Sequence, residues 1–376
     1  MDYQFSHSTE QERAARRAQR AAQRKRRRRQ HLRLQCLRLA AVLIPLLAVC
    51  LIWYAIQPEE TQDPTASVQA AQMEVQTPPA EPEPEPAYTV KRTAQTAAIS
   101  AEADSQYAVV IDLANGTILA EKAADTRINP ASMTKILTLL VAVEQIEKKD
   151  VSLDDTFTMT LEVTDYCYVN ECSVVGFLNE EVIPIRDLLY GTILPSGADA
   201  ALGLAYYLCG SQEAFVELIN AKLEELGLSD TAHFTNCVGL YDEAHSCTVT
   251  DMALILKAAM ENDLCREVLS THIYHTQPTA QHPEGQDLSN WFLRKIEDHV
   301  PEGLEVVGGK TGYVVQSGNC AASWAETSDG SRYLCVTGNA HSSWRAIYDH
   351  VALYTQYCLP ETESTPSSDS SHRYTF

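Results

Sequence analysis

Asn129-Pro130-Ala131-Ser132-Met133-Thr134-Lys135-Ile136-Leu137-Thr138-Leu139-Leu140-Val141-Ala142-Val143 is the stretch on which the reading of this 376-residue chain turns. It predicts a helix over Ala131–Lys148, almost wholly apolar, with Pro130 placed where a first helical turn tolerates proline. A helix with no polar stripe runs through a core. Ser132 and Lys135 lie one turn apart and share a face. A hydroxyl is thereby set at a helix N-terminus with an amine beside it, at the edge of a buried element.

Upstream, Tyr107-Ala-Val-Val-Ile-Asp-Leu-Ala and Thr117-Ile-Leu-Ala-Glu-Lys flank Asn115-Gly116 and predict a β-hairpin. Downstream the pattern turns helical, with helices expected near 186–191, 199–209, 212–226 and 250–262. Ser211 caps the third of these and Gly227 ends it. Strands return at Leu304–Tyr313, Asn319–Glu326 and Arg332–Asn339, before a last helix over Ser343–Tyr357. Strands at both ends with helices between predict an α+β domain over 104–359: an antiparallel sheet flanked by helices, plus an all-helical subdomain.

The flanks differ in composition. Residues 1–38 hold twelve Lys or Arg against Asp2, Glu10 and Glu12, a charge of +9; with −21 overall, the remainder carries −30. Residues 39–56 are uncharged and apolar, and as a helix they span roughly 27 Å, about the thickness of a bilayer's hydrocarbon layer. A transmembrane helix with its basic flank in the cytoplasm is expected, leaving everything after residue 56 outside the cell. No small-residue cleavage site follows that run, so it reads as a retained anchor and not a cleaved signal peptide. Beside a membrane span the Arg-rich block is a topology signal, so no nucleic-acid partner is expected. Residues 57–103, rich in Pro, Glu, Gln, Thr and Ala, read as a linker, and 360–376 as a disordered tail.

Nine of eleven cysteines follow the apolar run. Cys167 with Cys172, and Cys237 with Cys247, are close enough in sequence to be candidate disulfides, whereas Cys320 and Cys335 sit in apolar strands as small core residues. No Cys/His spacing indicates a metal site, and no cofactor is called for.

A serine hydroxyl needs a base within hydrogen-bond reach to act as a nucleophile, and a lysine can serve once burial and a second cation lower its pKa. Lys310, in Gly308-Gly309-Lys310-Thr311-Gly312-Tyr313, supplies that second cation on a strand whose small residues admit a substrate backbone. The set Pro130-Ala131-Ser132-Met133-Thr134-Lys135 followed by Lys310-Thr311-Gly312 resembles the low-molecular-mass penicillin-binding proteins, specifically the serine D-alanyl-D-alanine carboxypeptidases of peptidase S11 type, over roughly 104–359. The resemblance extends through Leu194–Ala201 and Asn236–Thr250.

The resemblance implies a serine acyl-enzyme that removes the terminal D-alanine from peptidoglycan stem peptides, with β-lactams as covalent inhibitors. It assigns Ser132 as nucleophile, Lys135 as its base and Ser196 as a proton relay. Lys310 and Thr311 receive the substrate carboxylate, and the amides of Ser132 and Tyr313, which follows Gly312, hold the oxyanion. Ala198 stands where the family's middle motif, Ser-x-Asn, has Asn. Asp199 reads as a helix-start residue and His245 as structural. Two rival readings are a catalytically silent module that binds peptidoglycan or β-lactams, of which Ala198 would be the symptom, and a β-lactamase, against which the absence of any Glu-x-x-x-Asn spacing counts.

Overall fold

In the computed structural model, residues 88–359 are described. The basic segment, the expected transmembrane helix, the linker up to residue 87 and the tail from 360 lie outside them. Among the described residues, no helix is long and apolar enough to cross a membrane.

The fold is built on a six-stranded sheet. Its strands are β1 (Ala97–Ala98), β2 (Tyr107–Asp112), β3 (Thr117–Lys122), β8 (Leu304–Val314), β9 (Gly318–Thr327) and β10 (Arg332–Ala340), in the order β1-β3-β2-β10-β9-β8. β2 and β3 form the hairpin that Asn115-Gly116 predicts, and β2 pairs antiparallel with β10, joining early and late parts of the described domain. All neighbours are antiparallel except β1, which runs parallel to β3.

Side chains alternate across the sheet. Val109 and Ile111 of β2, with Leu334 and Val336 of β10, face the larger core. Ala108, Val110 and Cys335 face a smaller one. The larger core holds α1 (Thr134–Lys149), buried along most of its length as its apolar sequence requires, together with α3 (Ile185–Ile193), α4 (Ala198–Cys209), α5 (Gln212–Glu225) and α6 (Val249–Glu261). The smaller core lies under α8 (Leu293–Ile296) and α9 (Ser343–Tyr357). Caps fix the helix starts: Ser211 Oγ accepts from Ala214 N, and Thr248 and Asp251 form a reciprocal capping box.

Three expectations are corrected. The linker expected to reach 103 ends earlier, because residues 88–103 pack on the domain. Arg92 bonds both Glu121 and Asp125, Ile99 N donates to Glu121 O, and Ile99 and Ala103 are buried. The apolar helix starts later than Ala131, because Ala131 has φ +50° and Ala131–Met133 form a 3₁₀ turn. Neither expected disulfide forms: all nine described cysteines are free. Cys237 packs its thiol against Gln212 Oε1 (3.5 Å), while Cys247 is paired by backbone hydrogen bonds to Ile128. Cys320 and Cys335 are buried core residues, as their strands required.

Further elements have no counterpart in the sequence reading: α2 (Leu161–Val169), α7 (Asp263–Ser270) and the short pairs β4 (Thr156–Thr158) with β5 (Val182–Pro184) and β6 (Ile273–His275) with β7 (Asp287–Ser289). α2 exposes Leu161, Tyr168 and Val169, so its apolar residues do not mark its buried face.

Candidate active site

The serine turn is shaped from three sides. Asn129 Oδ1 accepts from Ala131 N (2.9 Å) while its Nδ2 donates to His245 O (3.0 Å), holding the left-handed backbone at Ala131. A Cβ at Gly312 would meet Pro130 O at 2.9 Å and Ser132 N at 3.0 Å; one at Gly239, φ +82°, would meet Ala131 O at 2.0 Å. Only glycine lets β8 and the 236–240 loop close on the turn so tightly.

On α1, Lys135 is 2% exposed and its Nζ donates to Ser132 Oγ (3.1 Å) and Val238 O (2.7 Å). Burial lowers the Lys135 pKa to about 8, since an ammonium out of water is penalised. The carbonyl that receives Lys135 is itself positioned: Asn236 Oδ1 accepts from the N–H groups of Val238 (3.2 Å), Gly239 (2.7 Å) and Leu240 (3.0 Å). The sequence reading passed over Asn236, although an Asn three residues before a glycine is a turn signal.

Lys310, on β8, is equally buried. Its Nζ donates to Ser196 Oγ (2.9 Å) and Thr311 O (2.8 Å). Burial first, and the charge of Lys135 second, hold its pKa well below the ordinary lysine value. Ser196 sits at φ +63° just before α4, a strained backbone for a serine that aims it at Lys310. Thus two hydrogen-bonded pairs, Lys135 with Ser132 and Lys310 with Ser196, meet at the junction of α1, α4 and β8, and Ser132, Ser196, Thr311, Gly312 and Tyr313 line the cleft there.

Around this set, Asp199 is buried at the start of α4 as the sequence reading placed it, but it does more than begin a helix. Its carboxylate accepts from the N–H groups of Val175, Gly176 and Phe177 at 2.9–3.2 Å, pinning the loop that carries Ser173 and Val174 into the cleft. Ala198 is buried and its N donates to Ser173 O (2.8 Å), tying the same loop. His245 Nδ1 accepts from Thr235 N (3.0 Å), which leaves Nε2 to donate to Thr134 Oγ1 (2.8 Å). Burial lowers its pKa to about 4, so it is a neutral structural histidine at pH 7. The cleft encloses about 500 Å³, and its lining adds Trp291, Lys295 and Ser343, none of which the sequence reading selected.

A family profile described as D-alanyl-D-alanine carboxypeptidase, peptidase S11, matches residues 91–342. The chain belongs to the S11 D-alanyl-D-alanine carboxypeptidase family. This S11 chain is 29% identical over 234 residues to the D-alanyl-D-alanine carboxypeptidase DacF of Bacillus subtilis, covering 62% of the chain and 56% of DacF. It is 33% identical over 178 residues to DacC of Escherichia coli, covering 47% and 43%. It therefore spans about half the length of these curated relatives. Among solved structures it is similar to the Streptomyces K15 DD-transpeptidase (TM-score 0.61, 26% identity, 67% of this chain and 96% of that one). It shares its fold with penicillin-binding protein 5 of Haemophilus influenzae (TM-score 0.60, 24% identity, 69% and 72%).

Proposed function

We propose that the chain is a serine D-alanyl-D-alanine carboxypeptidase that trims peptidoglycan stem peptides through Ser132. The observation that carries this is the contact of Lys135 Nζ with Ser132 Oγ inside a buried site that lowers the lysine's pKa: it supplies a poised nucleophile and base. Ser132 Oγ attacks the carbonyl between the two D-alanines and its proton passes to Lys135. The developing oxyanion is received by the amides of Ser132 and Tyr313. As the C–N bond breaks, the proton taken up by Lys135 is passed to the leaving amine through Ser196, which Lys310 holds, and Lys135 is neutral again. Water, activated by Lys135, then cleaves the acyl ester and regenerates Ser132.

In the same reading, residues 39–56 anchor the chain in the cell membrane with its N-terminus inside. Residues 57–87 then serve as a spacer that lets the catalytic domain reach the wall. β-Lactams acylate the same serine.

The test measures D-alanine released from a peptide ending in D-Ala-D-Ala, comparing the full chain in detergent with its Ser132→Ala variant. Repeated turnover by wild type and a loss of about 10⁴-fold or more in the variant are expected. No release by wild type, with labelled penicillin still attaching to Ser132, would replace the enzyme with a silent binding module.

A further inference from the structure

Resting on the carboxypeptidase reading, we infer that Lys295, and not Lys310, is the cation that receives the terminal carboxylate of the donor peptide, with Thr311 as its hydroxyl partner. Lys310 is badly suited to that role. It is 2% exposed, both of its described hydrogen bonds go to protein oxygens at 2.8–2.9 Å, and it does not itself line the cleft. Its burial beside Lys135 also disfavours a charged ammonium there.

Lys295 differs on each count. Among the described residues that line the cleft, it carries the one charged side chain. Its Nζ donates to the neutral Ser343 Oγ (2.9 Å), and it takes part in no described ion pair. It lies 5.8 Å from the ring centre of Trp291 and 5.2 Å from that of Trp344, aromatic faces that hold a cation while leaving its donors free. Partial burial lowers its pKa, so the ammonium lacks full hydration and an incoming carboxylate would restore the missing partner.

The position of Lys295 relative to the reactive strand is also fixed. Asn290 Oδ1 accepts from Phe292 N and Leu293 N, starting α8, and its Nδ2 donates to Leu269 O (3.3 Å) and Gly309 O (3.4 Å). Gly309 packs so closely on the Phe292 ring that a Cβ would sit 2.5 Å from it. α8 is thereby fastened to β8 one residue from Lys310. A carboxylate held between Thr311 and Lys295 keeps the donor peptide along β8, with its scissile carbonyl near Ser132.

The experiment uses the full chain and two substrates, a peptide ending in D-Ala-D-Ala as the free acid and the same peptide as its C-terminal amide. Wild type is expected to favour the acid, with the acid-to-amide ratio of kcat/KM falling about 10- to 100-fold in Lys295→Met, the scale of a lost charge-assisted hydrogen bond. The loss is expected mainly in KM, with the ratio retained by Lys295→Arg and the unfolding midpoint close to wild type. A wild type that turns over while Lys295→Met keeps its acid-to-amide ratio overturns the assignment of Lys295 alone. A wild type that releases nothing from either peptide overturns the carboxypeptidase reading and this inference with it.

Discussion

Lys135 is a residue whose chemistry is changed by its environment. Because burial brings its pKa down to about 8, the neutral amine that can take the Ser132 proton is the minority form at pH 7 and the majority form above pH 8. Acylation of Ser132 is therefore expected to rise about tenfold per pH unit below that value and to level off above it. The rate of labelled-penicillin attachment between pH 6 and 10 measures this, and a flat profile would rule out Lys135 as the titrating base. A lysine one turn after a serine on a helix with no solvent face had to be buried, so this much was legible in the sequence. The roles of Asn236, Asp199 and Lys295 were not. Asn236 and Asp199 act by accepting several backbone N–H groups from loops whose course no local pattern records, and Lys295 becomes a cleft residue only when α8 is fastened to β8.

At the scale of elements, the site depends on how closely β8 approaches the serine turn. Gly312 is the point of contact, and an added methyl would lie within 2.9–3.1 Å of Pro130 O, Ser132 N and Ala131 Cβ. Both strand and turn are packed, so the expected relief is a shift of a few tenths of an ångström at the reactive amides. Gly312→Ala should cost on the order of tenfold or more in kcat/KM, while the thermal midpoint falls little, since the strand keeps its ladder with β9. Kinetics beside a melting curve separates the two. The long strands and the apolar helix could be read from period and turn residues: Leu304–Val314, Gly318–Thr327 and Arg332–Ala340 each lie within one residue of expectation at either end. α2 and the three-residue strands could not, because an exposed Leu161 and Tyr168 contradict amphipathic patterning and such short strands carry no period.

For the domain as a whole, the sheet divides two cores, and the chain's described start completes one of them. Residues 88–103 lack strand or helix periodicity, which is why composition alone assigned them to the linker. Yet Ile99 and Ala103 close the smaller core, β1 extends the sheet edge, and Arg92 clamps Glu121 and Asp125. Further along the same face, Asp349 of α9 accepts from the N–H groups of Asp104 and Ser105, so the segment is held on both sides of residue 103. A domain begun at residue 104 would expose the apolar surface under Ile99 and lose the β1 pairing, a penalty of about 2–3 kcal/mol from Ile99 alone. At about 2–4 °C per kcal/mol for a domain somewhat smaller than this one, the midpoint should fall by about 4–12 °C relative to a chain begun at residue 88. The proposed catalytic residues lie across the larger core, so D-alanine release per folded molecule should survive the shorter start at temperatures where both remain folded. Equal midpoints for the two starts would show that residues 88–103 only lie against the domain. A lower midpoint with retained turnover would make them part of its folding unit while leaving the chemistry to the junction of α1, α4 and β8.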